Sequence, residues 1–148
     1  MKSFRIVVLA IAGLAASLPA AAQFQRPADA VKYRQSALSV MGTHVGRIGA
    51  MVNNRVPFDA AQLQANAEIV AMLSTLPWAG FVDGTAEGTK AKPVVWTQRA
   101  KFDSAATNMQ DAVAKLNAAA KTGDQGQIRT AFGAVGASCK ACHDDYRE

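Results

Sequence analysis

The chain holds few of the residues that build most sites. Among 148 residues there are two cysteines and two histidines. Two cysteines cannot make a disulfide framework or a four-thiol zinc site. No lysine or arginine run stands out, so the nucleic-acid footprint of clustered cations is missing. No segment reads as a convincing strand, and no acid, base and nucleophile combine into a catalytic constellation, so no enzyme activity is expected. The longest apolar stretch, Ile6 to Leu18, spans 13 residues (18 less 6, counted inclusively) and is too short to cross a membrane.

That stretch has another reading. Lys2 and Arg5 precede it, Pro19 breaks it, and Ala20-Ala21-Ala22 supplies small residues before Gln23. This is the pattern of a secretory signal peptide; an uncleaved anchor is the alternative, disfavoured by length and flanks. Residues 1–22 are expected to be removed, leaving residues 23–148 as one ordinary domain free of the membrane. With Lys2 and Arg5 gone, 14 basic residues face 11 acidic ones. A net charge of +3 suits plain solubility or, secondarily, acidic partners.

Near the other end stands Cys139-Lys140-Ala141-Cys142-His143. C-x-x-C-H is the attachment signature of c-type haem. The thiols add to the two vinyl groups as thioethers, and the next residue offers its imidazole to the iron. On a helix, positions i, i+3 and i+4 lie close together, so Cys139, Cys142 and His143 can hold one flat ring. A redox dithiol normally opens a helix after a strand, and this motif closes a helix. A disulfide between the two thiols would leave His143 as coincidence, and a zinc site would need more ligands than His44 can add. Haem attachment to an exported chain points to a bacterial source and the periplasm.

Four amphipathic segments account for residues 23–148. The first runs from Pro27, a residue suited to a first helical turn, to Val52. Its apolar seam is Val31, Leu38, Met41, Val45, Ile48 and Val52, at heptad-like steps. Gly42, Gly46 and Gly49 share a side; they suggest either a close helix or subunit contact or a loose end to the helix. Asp59 is a good N-cap for a second helix ending at Leu76 before Pro77, lined by Leu63, Val70 and Leu73. A glycine-bearing loop with Trp78 and Phe81 follows. A third helix is expected from Pro93, with Val95, Phe102, Ala106, Met109, Val113 and Leu116 on one side. Thr122-Gly123-Asp124 ends it and caps the fourth. There Ile128, Phe132, Val135, Cys139, Cys142 and Tyr146 form one stripe, so the haem lies inside the bundle. Gly133 and Gly136 would let a flat ring approach the backbone, or serve ordinary helix packing. The order and short connections predict an all-α, antiparallel up-down-up-down four-helix bundle.

Function turns on the iron face opposite His143. A second protein ligand makes a closed electron carrier; an empty position takes a small diatomic. His44 falls 120° off the first seam and reads as a surface or rim histidine. Met41 lies on the seam and reads first as core, second as a ligand.

Three stretches narrow the choice: Asp29-Ala-Val-Lys-Tyr-Arg-Gln-Ser-Ala-Leu38, Leu76-Pro-Trp-Ala-Gly-Phe81, and Ala131 through Arg147 with the C-x-x-C-H element. Together they make the chain resemble the cytochrome c′ family. The resemblance implies one covalent haem c and a five-coordinate, high-spin iron. It implies that Leu38 covers the vacant face, that Arg34 and Gln35 meet the propionates, that Trp78 and Phe81 line the pocket, and that Arg147 lies near the proximal face. Without it, Leu38 would default to a core leucine, and Arg34 and Arg147 to solvated charges. Tyr33 and Tyr146 read as packing residues. The resemblance also implies nitric oxide and carbon monoxide as ligands, and homodimers formed largely through the first two helices. One-electron transfer, with a redox partner protein, is the alternative function.

Overall fold

The computed structural model describes residues 23–148; the expected signal peptide at 1–22 lies outside the described residues. Among the described residues five α-helices follow one another: α1 Pro27–Val52, α2 Ala60–Leu73, α3 Val94–Thr97, α4 Arg99–Thr122 and α5 Gln125–Tyr146, with a 3₁₀ turn at Pro77–Gly80. Among the described residues there is no strand, only an isolated antiparallel bridge between Ala91 and Arg147. The long helices α1, α2, α4 and α5 each pack against the next, and α5 returns against α1. The protein is an all-α helical bundle.

Local chemistry fixes the helix ends. The Asp59 carboxylate accepts from the Gln62 backbone N–H at 2.9 Å and opens α2; Asp124 accepts from Gln127 N–H at 2.9 Å and opens α5. Between α4 and α5 stands Gly123 at φ 70°, a left-handed turn that a side chain would strain.

Three expectations change. The third segment is not continuous: Gln98, at φ −125° and ψ 48°, separates the single turn α3 from α4. Trp96 explains the offset, because its indole N–H donates to the Val82 carbonyl at 2.9 Å and ties α3 to the preceding loop. The seam of α1 is also rotated. Its buried line runs through Ala30, Ala37, Met41, Ile48 and Val52, which leaves Leu38 and Val45 half-buried at its edge. Large aliphatics mark a helix face less sharply than alanines placed where helices approach closely. Finally, the three α1 glycines do not act together. A Cβ on Gly49 would stand 2.9 Å from Phe132 Cζ, so glycine there lets the Phe132 ring of α5 lie directly against α1. Gly42 and Gly46 face solvent with nothing nearby, and α1 stays helical past them.

Two apolar clusters fill the bundle. One is aliphatic and includes Met41, Ile48, Leu63, Val70, Leu116 and Val135. The other is small and mostly aromatic: Phe81, Val95, Phe102 and Tyr146.

Candidate functional site

The C-x-x-C-H element occupies the last two turns of α5. Cys139 and Cys142 are free, half-buried thiols. Cys139 packs against the aliphatic cluster and Cys142 against the aromatic one. Leu38 and Trp78 pack against both. These four side chains therefore mark the seam between the clusters, where a flat group would enter. Burial pushes both thiols above their ordinary range, and for Cys142 the neighbouring Cys139 and Asp145 add to the shift. His143 is exposed on the outer side of α5. A groove of about 500 Å³ between α4 and α5 is lined by Cys142, Ala105, Ser138 and Tyr146.

The aromatic wall is well ordered. Trp78 donates its indole N–H to the Ser74 carbonyl at 2.7 Å and stacks on Phe81, centroids 6.2 Å apart and 19° between planes. Phe102 meets Phe81 at 4.8 Å and Tyr146 edge-on at 5.2 Å. Quadrupole attraction favours such tilted and offset pairs.

Arg34 is buried, with 2% of its surface exposed. The default reading of a solvated helix-face charge is thus corrected. Its guanidinium donates to Gly80 O at 2.9 Å, to Thr85 O and Oγ1 at 2.6 Å each, and to Thr89 Oγ1 at 3.3 Å. It also lies 4.5 Å from the Phe81 ring centre. Burial pushes it below its ordinary value, yet an arginine starts so high that it keeps its charge. All these acceptors are neutral, so a full positive charge sits beside the aromatic cluster without a bonded carboxylate. Gly80 makes this possible: a Cβ there would come 2.6 Å from Ala30 O and 2.8 Å from Arg34 Cβ.

The other expected residues are less central. Gln35 is exposed one position past Arg34. Arg147 is exposed just beyond α5, and its backbone N–H donates to His143 O at 3.1 Å. Met41 is buried in the aliphatic cluster. His44 Nδ1 lies 2.7 Å from Asn66 Oδ1 on α2; since Asn66 donates its amide to Gln62 O, the ring nitrogen is the donor. Thr85, 2% exposed and bonded to Arg34, carried no signal in its sequence context.

Two thiols one turn apart and a neighbouring imidazole suit a macrocycle that brings its own metal donors. They do not suit a bare ion: among the described residues no three or more His, Cys, Asp or Glu side chains converge. Gly133 and Gly136 leave open space on the same helix.

Known proteins agree. The family model described as Cytochrome C′ matches residues 29–147. Cytochrome c′ of Alcaligenes xylosoxydans xylosoxydans is 53% identical over 85% of this chain and 98% of its own length. That of Rubrivivax gelatinosus is 48% identical over 85% of this chain and 99% of its own, and its crystal structure superposes with a TM-score of 0.82, covering 85% of this chain and all of that one. A solved nitric oxide complex of a leucine-to-alanine mutant of cytochrome c prime from Alcaligenes xylosoxidans is 52% identical, with a TM-score of 0.80, over 85% of this chain and 98% of that one. The chain belongs to the cytochrome c′ family, which carries haem c bound covalently through the C-x-x-C-H motif, and Cys139 and Cys142 fit that attachment.

Proposed function

We propose that this chain is a periplasmic haem protein that binds nitric oxide and carbon monoxide at an iron position left free of protein donors, without turnover. The observation that carries the reading is the place of Leu38. It stands at the seam between the clusters, where both cysteines also pack, and it has no atom that can bind iron. The methionine and histidine donors of α1 are committed elsewhere, Met41 and Met51 to the aliphatic core and His44 to Asn66.

A bound haem would supply an iron able to take an imidazole and a small neutral ligand. Cys139 and Cys142 would hold the ring on α5, and His143 would offer its ring nitrogen to the iron. Leu38 excludes water and must move aside for an incoming molecule. An apolar side chain offers no hydrogen bond to bound dioxygen, so neutral diatomics that need no such help are favoured. Trp78 and Phe81 wall the pocket. Arg34 would supply fixed positive charge for the propionates, with the exposed Gln35 beside it, and Arg147 would add charge beyond His143. The nitric oxide complex of the Alcaligenes relative supports the ligand class. The signal-peptide pattern in the sequence of residues 1–22 supports export. Exposed Val40 on α1 and Met72 on α2 support a homodimer through those helices.

The optical spectrum of the purified protein with and without nitric oxide tests this. A high-spin spectrum that changes at once on addition is expected. A low-spin spectrum with a methionine–iron band would implicate Met41 and shift the role to one-electron transfer with a redox partner. Leu38→Ala should speed carbon monoxide binding by about tenfold or more, equivalent to about 1.4 kcal/mol of barrier. An unchanged on-rate removes Leu38 as the gate.

A further inference from the structure

A distant segment ties down the last turn of α5. A helix leaves its last four carbonyls without intrahelical partners. In α5 these belong to His143 through Tyr146. Arg147 N–H takes the first. Lys92 takes two more: its backbone N–H donates to Tyr146 O at 2.9 Å, and its ammonium to Asp144 O at 2.8 Å. The pairing continues outward, with Ala91 bridged to Arg147 and Glu148 N–H donating to Lys90 O at 2.9 Å. On the inner side Tyr146 is anchored against Phe102. A cation on the final carbonyls also opposes the negative end of the helix dipole.

His143 needs such support. A metal-binding histidine usually donates its second ring nitrogen to a carbonyl or carboxylate that sets its orientation. Among the described residues no side-chain hydrogen bond holds the His143 ring; the ring is exposed, so its direction depends on the backbone beneath it. That backbone is a helix terminus, the part of a helix most prone to fray.

We propose that Lys92 is the positioning residue for His143: the clip between residues 90–92 and 146–148 holds the final turn of α5 and so sets the angle at which the imidazole meets the iron. The role rests on His143 being the axial ligand. Lys92 keeps its backbone bond when its side chain changes, so the ammonium contribution can be isolated.

The test uses the haem-bearing protein with Lys92→Met and Lys92→Arg. Amide hydrogen exchange follows the Arg147 N–H, and resonance Raman follows the iron–imidazole stretching band of the ferrous form. Lys92→Met should speed exchange by about tenfold, the scale of one charge-assisted hydrogen bond, and should shift and broaden the band. Lys92→Arg should restore both. If the methionine variant does not retain haem, Lys92→Gln takes its place. Faster exchange with an unaltered band overturns the positioning role and leaves Lys92 a structural clip. Absence of any imidazole band in the wild-type protein overturns the axial assignment itself, a result distinct from the former.

Discussion

The aliphatic and aromatic clusters are built to different ends. The aliphatic one draws on α1, α2, α4 and α5, and Leu63, Val70, Leu116 and Val135 in it are fully enclosed by protein. The aromatic one holds only four buried residues, one each from a loop, α3, α4 and α5. Its border is made of half-buried groups, among them Leu38, Trp78 and Cys142. The aliphatic cluster is large and mostly remote from the cysteines, whereas the aromatic one is small; the two share an edge, at Leu38 and Trp78, that a porphyrin would complete. The contrast separates what folds the chain from what the chain is folded for.

Two truncations sharpen that contrast most. Leu116→Ala should cost about 2–5 kcal/mol and Phe102→Ala about 3–5 kcal/mol. The Leu116 cost should be equal in the haem-bearing protein and in a Cys139→Ser, Cys142→Ser double variant that cannot attach it. The Phe102 cost should be clearly smaller in the double variant, whose aromatic cluster already lacks one side. Urea unfolding of the four pairs reads this, and equal Phe102 costs in both forms would dissolve the distinction.

A smaller effect is expected at the α1–α5 contact. Gly49→Ala pushes a methyl to 2.9 Å from the end of the Phe132 ring, and overpacking of this kind costs about 1–3 kcal/mol. Since Phe132 borders the aliphatic cluster, the loss should be the same with or without haem; a thermal melt that moves only in the haem-bearing form would contradict it.

The smallest effect is in acid. The backbone N–H groups of Gln62 and Gln127 hold the carboxyls of Asp59 and Asp124 below the usual carboxylate range. A carboxyl depressed in the folded state stabilises above its unfolded pKa, and that contribution disappears as pH falls through the folded value. Stability should therefore decline below about pH 4. Asp124→Asn, which keeps a cap without a charge, should show a shallower decline; an identical slope would remove Asp124 from the account.

How far the sequence foretold all this depends on where each partner lies along the chain. The stripe from Phe102 to Leu116 on α4 was legible because every partner recurs at a helical period, and all its members are buried, as is Val95 on α3. The attachment motif was legible for the same reason: its chemistry is complete within five residues. The site's supports were not. Arg34 looks like any helix-surface cation until residues 80–89 fold over it. Lys92 sits 52 positions from the carbonyl it meets. The pairing of His44 with Asn66 crosses from one helix to another. The break at Gln98 depends on where Trp96 finds its acceptor. Each of these is a contact between segments, and no local period records it.

The half-burial of the two thiols bears on how the protein is made. A thiolate is the reactive form of cysteine, and burial, which raises both thiols above their ordinary range, lowers its share further. The folded bundle would therefore offer an arriving tetrapyrrole only part of each thiol's surface, mostly in its less reactive form.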